Sequence, residues 1–229
     1  MKHGKKYRAI AEKIDLTKEY ELAEAIGILK ANAGAKFDES VEVHIKLNIN
    51  AKKTNEQVRA TVVLPHGTGR GKRVAVVTES AAKEAEKAGA VLVGGAEVIT
   101  GIKEGKIVPG SAFDILLATP DMMPKLAVVA KILGPKGLMP SPKNETVTVK
   151  IAEGVEMLSK GKKAGFKNDD GGNIHQVIGK LSFDVTALLE NHAALFETVS
   201  RLKPEGFKGR FVRSVTIAST MGPGIRVKA

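Results

Sequence analysis

The chain contains no cysteine and no tryptophan, and only two of its 229 residues are tyrosine. Without cysteine there can be no disulfide, no thiol nucleophile and no cysteine-ligated zinc, which fits a reducing compartment. Aromatic residues make up 4% of the chain, so an extended platform for stacking unpaired bases is poorly supplied. No stretch approaches the roughly 18 uninterrupted apolar residues of a membrane-spanning helix. The basic opening, Met1-Lys-His-Gly-Lys-Lys-Tyr-Arg8, runs into the mixed, charged segment 9–20. No secretory leader is expected from it.

What the chain has in excess is positive charge. Thirty-six Lys and Arg stand against 25 Asp and Glu, a net +11 with an isoelectric point near 9.7. Such an excess favours a polyanionic partner, nucleic acid first and an anionic membrane surface second. A basic but otherwise ordinary enzyme is the plain alternative. With aromatics so scarce, an RNA partner would be held by shape and backbone rather than by stacking. Hydrophobic content of 43% and charged content of 27% are those of a folded globular chain.

The periodicities divide the chain into three parts. Residues 7–14 read as a short basic helix, and Thr17 can cap a second helix over 18–31, with Leu22, Ile26 and Leu29 on one face. Val41, Val43, Ile45 and Leu47 alternate with Glu42, His44 and Lys46, the pattern of a half-buried strand; 58–64 is a second. From Arg73 the texture becomes strand–helix–strand–helix: strands at 74–77, 91–93 and 113–118, helices at 80–88, 96–104, 123–133 and 153–160. That alternation predicts an α/β unit with a mostly parallel sheet. Beyond the breaker-rich 161–165 come a strand at 174–178, an amphipathic helix at 183–202, a strand at 211–217 and a Gly/Pro-rich end.

Neither flank offers enough elements for a core of its own. The expected architecture combines α+β and α/β: residues 1–66 and 161–229 form one discontinuous α+β domain, with 67–160 inserted as an α/β domain. Two breaker-rich crossings, 65–72 and 160–165, would form a double linker. Residues 1–66 carry 12 basic and 9 acidic side chains, 67–160 carry 13 and 10, and 161–229 carry 11 and 6. The outer domain is thereby +8 and the insert +3, which places the polyanion mainly on the outer domain.

Several motifs invite a catalytic reading and fail it. Gly67-Thr-Gly-Arg-Gly-Lys72 has the wrong spacing for a phosphate loop and precedes a strand rather than a helix. His3, His44, His66, His175 and His192 have no metal-ligand spacing. Gly134-Pro-Lys-Gly-Leu-Met-Pro140 is either a structural cap after a helix or a loop presented to a second partner. The basic runs Lys2, Lys5, Lys6, Arg8 and Arg201, Lys203, Lys208, Arg210, Arg213 suit phosphate contact. Thr220-Met-Gly-Pro-Gly-Ile-Arg226 carries glycines that let another backbone approach. On composition alone Phe37 reads as a core residue.

Taken in order, Lys2-His-Gly-Lys-Lys-Tyr-Arg8, Ala35-Lys-Phe-Asp-Glu-Ser-Val-Glu-Val-His44, Leu64-Pro-His-Gly67, Ala118-Thr-Pro-Asp121, Ile132-Leu-Gly-Pro-Lys-Gly-Leu-Met-Pro140, Phe166-Lys-Asn-Asp169 and Ser219-Thr-Met-Gly-Pro223 span the chain. Together they resemble the motifs of the bacterial ribosomal protein L-one family. The resemblance implies a discontinuous outer domain with a Rossmann-like insert, and a non-enzymatic protein of the cytoplasmic large ribosomal subunit. It implies direct binding of 23S ribosomal RNA at the mobile stalk, a part in release of exit-site tRNA, and repression of its own-operon mRNA. It implies no cofactor, metal or membrane, and a monomer when free.

The RNA-contacting positions implied by the matching motifs are Lys36, Phe37, Ser40, Ser214, Thr220, Met221 and Gly222. For Phe37 the resemblance replaces the core reading with a surface one. Ser40 stands where the family often has Thr, which keeps the hydroxyl. Asp170 stands where the turn often carries Lys, which removes a cation from that turn. Two rival classes remain beside this one, a nucleotide-dependent α/β enzyme using the insert and a non-specific RNA chaperone.

Overall fold

The computed structural model describes residues 4–12, 14–15, 17–50, 57–204, 207 and 209–228. Lys2, His3 and Lys208 of the sequence reading lie outside the described residues, as does the connection 51–56. The chain divides into two compact units, Met1–Gly69 with Gly165–Ala229, and Arg70–Ala164.

In chain order the first unit opens with α1 (Lys5–Ala11), α2 (Leu22–Ala31), β1 (Ser40–Leu47) and β2 (Arg59–Val63). The second unit runs β3 (Val74–Val77), α3 (Ala82–Lys87), β4 (Leu92–Gly94), α4 (Ala96–Lys103), β5 (Ile115–Ala118), α5 (Met123–Leu126), α6 (Ala130–Leu133) and α7 (Ile151–Ser159). Then β6 (Lys163–Lys167) leads back, followed by β7 (Asn173–Lys180), α8 (Val185–Arg201), β8 (Val212–Ser219) and β9 (Ile225–Val227).

The first unit is built on a four-stranded sheet of order β7-β1-β8-β9, all neighbours antiparallel. Strand β1 buries Val41, Val43, Ile45 and Leu47 and leaves Ser40, Glu42, His44 and Lys46 on the other face. One face therefore meets the core and one stays open, as the strict alternation predicts. Against the core face lie Ala25, Ile26 and Leu29 of α2 and Leu188, Leu195 and Val199 of α8. A smaller ladder pairs β2 with β6.

The second unit is a parallel three-stranded sheet of order β4-β3-β5. All four residues of β3 are buried because helices cover both faces. Ala75 and Val77 point to a cluster with Val98, Ile102, Leu126 and Leu133; Val74 and Val76 point to Ala85, Ile151, Val155 and Leu158. Where the phosphate-loop resemblance ends, Arg73 is fully committed. Its guanidinium clamps Asp114 at 3.1 and 2.9 Å, joining the starts of β3 and β5. That pairing holds the Asp114 carboxyl down at about 2. The Gly134–Pro140 loop is a cap: Leu138 and Met139 pack on the core, and the Lys136 Nζ donates to the Pro109 carbonyl at 2.9 Å.

Several elements differ from the sequence reading. Thr17 does not cap α2; it bonds back to Asp15 at 2.6 Å, and α2 starts at Leu22. The intervening Tyr20 adds to the sheet edge beside Val227. The helix expected over 123–133 breaks into α5 and α6 joined by a 3-10 turn at Ala127–Val129. Prolines 120 and 124 sit in the first turns of the 3-10 segment 120–122 and of α5, where a missing N–H costs no intrahelical bond. Residues 163–167 form β6 rather than a breaker zone, and the Gly/Pro-rich end holds β9.

The stripe of α8 that faces the core contains one polar residue, Asn191, with no exposed surface. Its Oδ1 accepts the His66 N–H at 3.1 Å, and its Nδ2 donates to the carbonyls of Gly67 at 2.9 Å and Ile178 at 2.7 Å. One side chain thus ties the 65–67 turn to β7 and α8. The first crossing is anchored at its start rather than loose. Gly69 is also confined, since at φ +72° an added Cβ would sit 2.8 Å from Lys180 Cγ.

Replacing Asn191 by Leu fills the same stripe but leaves three backbone groups without this partner, the carbonyls of Gly67 and Ile178 in buried contacts and the His66 N–H in a part-buried one. With about 1–3 kcal/mol for each unpaired group, Asn191→Leu should cost at least about 2 kcal/mol in urea denaturation. A neutral outcome would mean that solvent reaches those groups.

Candidate nucleic-acid interface

Six of the seven implied contact residues converge where β1 begins and β8 ends. Strand pairing sets Val41 opposite Ser219, so the segments just outside them meet. The Ser40 N–H donates to Thr220 Oγ1 at 2.9 Å, and the Thr220 N–H donates to the Ser40 carbonyl at 3.1 Å. Lys180 of β7 donates from Nζ to Ser40 Oγ at 2.9 Å and to the Asp38 carbonyl at 3.1 Å. Lys36 and Met221 stand exposed beside this lattice, and so does Phe37, with 57% of its surface free. An aromatic ring held outside the core confirms the surface reading of Phe37 over the core one.

Behind these side chains lies a recess of about 570 Å³ lined by Tyr7, Ile10, Asn32, Phe37 and Met221, with Lys36 at its wall. Gly222 contributes its smallness to the turn itself. A Cβ there would lie 2.5 Å from Ser219 Oγ. A larger residue there would have to displace the Ser219 hydroxyl as well as any approaching backbone.

Ser214 is not part of this cluster. It pairs with Lys46 near the other end of β1, roughly 20 Å from Thr220 at about 3.3 Å per strand residue. Between the two ends runs the open face, with Glu42, His44 and Lys46 on β1 and Thr216 on β8. Beyond Ser214, Arg210 and Arg213 line a shallow recess with Asn48. Arg201 is engaged with Glu197 at 2.6 Å, so that member of the basic run is partly neutralised. In the turn before β7, Asp169 accepts from the Asn173 N–H at 2.6 Å and from its Nδ2 at 2.8 Å, which holds its carboxyl at about 2.

The residue that organises the cluster was not singled out by its sequence context. Glu39 retains only 2% of its surface. Its Oε2 accepts the Met221 N–H at 3.0 Å, and its Oε1 accepts the Ala35 N–H at 3.2 Å. The carboxylate therefore joins the 34–37 segment to the 220–222 turn and sets Phe37 beside Met221. Glu39 lies inside the 35–44 motif, but its position there assigns it no role; the pairing of β1 with β8 reveals one.

Burial pushes the Glu39 carboxyl up, but hydrogen bonds from Met221, Ser219, Ala35 and Gly34 outweigh it and hold the group below its ordinary range. A carboxyl depressed on folding contributes stability that is complete above its unfolded pKa and is lost as pH falls through the folded one. Its contribution should therefore fade below about pH 4.5, the upper end of the ordinary carboxyl range. Glu39→Gln supplies one acceptor where two are needed and should cost about 1–3 kcal/mol at neutral pH. A pH series of denaturation curves should show the gap between the two proteins closing in acid. A constant gap would remove the ionised carboxylate as the cause.

Residues 29–223 match the family described as Ribosomal protein L1p/L10e family. The protein named Large ribosomal subunit protein uL1 of Mycoplasma mycoides is 44% identical over 227 residues, 99% of each chain. Its namesake from Mycoplasma capricolum is 45% identical over 227 residues, again 99% of each. That of Thermosipho melanesiensis is 46% identical over 228 residues, 99% of this chain and 96% of its own. A whole-length match at this identity places this chain in the ribosomal protein L1p/L10e family.

Proposed function

We propose that the protein is a component of the large ribosomal subunit that binds 23S ribosomal RNA directly through the unit containing β1 and β8. The observation that carries this reading is the exposed Phe37 and Met221 pair, fixed beside Lys36, Ser40 and Thr220 by a buried carboxylate. Phe37 and Met221 line one recess together, and an exposed apolar patch of that kind marks an interaction surface. Hydroxyls and backbone groups at hand can meet ribose and phosphate, while the apolar pair excludes water from those contacts. The chain belongs to a family of ribosomal proteins and is not an enzyme.

In this reading the discontinuous unit is the RNA-binding domain and the parallel three-stranded unit is its Rossmann-like insert. The placement of the motifs supports that division, since all seven implied contact residues fall in the discontinuous unit. The RNA element is the mobile stalk of the large subunit, where the protein takes part in release of exit-site tRNA. A segment of its own-operon mRNA with the same folded shape would compete for the same surface and make the protein a repressor of its own translation. The free protein is a monomer in the cytoplasm.

Titration of the chain with the stalk segment of 23S RNA tests the reading. If five or six cations meet phosphates, log K should fall with log salt at a slope near −4 to −5, at roughly 0.7–0.9 per contact. Phe37→Ala should weaken binding at least tenfold while moving stability by no more than about 0.5 kcal/mol, as for an exposed side chain. A flat salt response, or equal affinity for an unrelated hairpin, would overturn the assignment.

A further inference from the structure

On the open face of the sheet, His44 of β1 lies directly opposite His175 of β7. Their Nδ1 atoms are 2.8 Å apart, and the rings meet edge to face with centroids 5.0 Å apart. At that distance one Nδ1 carries a proton and the other accepts it. In the neutral couple the donor ring keeps a bare Nε2 and the acceptor ring carries its proton on Nε2. One further proton fits on the bare nitrogen with the contact intact. A second has no site except the shared Nδ1 position, where N–H would face N–H. The couple is therefore built to gain a single positive charge.

The surroundings decide when that charge appears. Glu42 and Lys46 flank His44 on the same face of β1, and the Lys46 Nζ donates to the Gly171 carbonyl. Asp169 Oδ2 lies 3.5 Å from His175 Nε2. Strand β8 brings the neutral Ser214, Thr216 and Ala218, and Arg226 of β9 stands opposite Thr216 in the same row as His44. Burial, then the neighbouring His175, pushes the His44 imidazole down, while Glu42 pulls it the other way. Burial and the facing ring thus disfavour the cation on His44, and an anion settling on the open face would favour it.

The couple also sits in a telling place. Ser40 and Thr220 mark one end of the open face and Ser214 the other, so an RNA backbone touching both passes over His44, with His175 beside it on β7. We propose that the His44–His175 pair is a proton-dependent contact for an RNA phosphate, so that binding takes up one proton from solvent. The proposal rests on the RNA-binding reading and adds to it two residues and a pH dependence. By linkage, a phosphate that favours the cation must bind more tightly where the cation forms more readily.

The test is the affinity of the full chain for the stalk segment of 23S RNA between about pH 8 and about pH 6, the range in which histidine changes charge. The dissociation constant should fall about 3–10-fold on acidification, and the salt slope should steepen by about 0.7–0.9, one added phosphate contact. The double variant His44→Gln/His175→Gln should lose both effects while retaining salt-dependent binding. Because substitutions in a central strand can weaken the fold, the wild-type protein supplies a second readout. NMR titration of its histidine rings should show the midpoint of the couple rising when RNA is added. An unmoved midpoint, or a double variant with the wild-type pH dependence, overturns the proposal and leaves the RNA reading standing. Absence of salt-dependent binding at every pH removes the RNA reading and the proposal with it.

Discussion

Strand β1 finds both of its partners far down the chain: Val41 lies opposite Gly179 on one side and Ser219 on the other. Everything in the first unit depends on this double pairing. A strand with one apolar face cannot stay folded alone, and nothing adjacent in sequence covers β1 on either edge. The chain must return to it, and closing so long a loop costs entropy that local contacts do not repay. That cost grows only slowly with loop length, and the intervening second unit has buried clusters on both faces of its own sheet. A long insertion between β2 and β6 is therefore thermodynamically cheap, whereas an insertion within β1 would destroy the register on both edges.

The candidate interface inherits this dependence. None of its parts is a site in isolation. Segment 34–37 and turn 220–222 come from opposite ends of the chain, and they are joined by the last ladder positions of β1 with β8 and by the Glu39 carboxylate. A slip of one residue in that ladder would turn Ser40 into the core and bring Val41 to the open face. The site is thus as precise as the sheet, and it is formed only once the most distant contacts of the unit are made.

This explains which features could be read from the residues. The strict alternation in 41–47 marks β1 and its open face because burial on one side imposes a period of two. The stripe of α8 is legible for the same reason at a period near four. Thr17 misleads because a hydroxyl before an apolar run suits a helix cap and a local turn equally well. The structure uses it in the turn, and Tyr20 is taken up by the sheet edge. Strands β6 and β9 are short, rich in glycine or beside proline, and owe their form to the ladders they join rather than to propensity. Phe37 defeats composition because an exposed ring is unusual, and only resemblance to known motifs pointed outward. Glu39 and the facing histidines were unreadable in kind. Their roles are relations between residues far apart in sequence, and no spacing along the chain encodes them.

The placement of an acid at the centre of a cationic surface then has a physical logic. A protein that attracts polyanions through net charge gains range but little geometry, because exposed lysines move freely and are screened by salt. A buried carboxylate is costly unless its oxygens are satisfied. Those of Glu39 accept backbone N–H groups from two segments. In being satisfied, it fixes the backbone on which Phe37 and Met221 are displayed. The open face repeats the arrangement at its middle, where His44 and His175 hold each other in place through one shared proton. In the proposed reading the net charge brings a polyanion to the unit, and these interior bonds set the shape of the surface it meets.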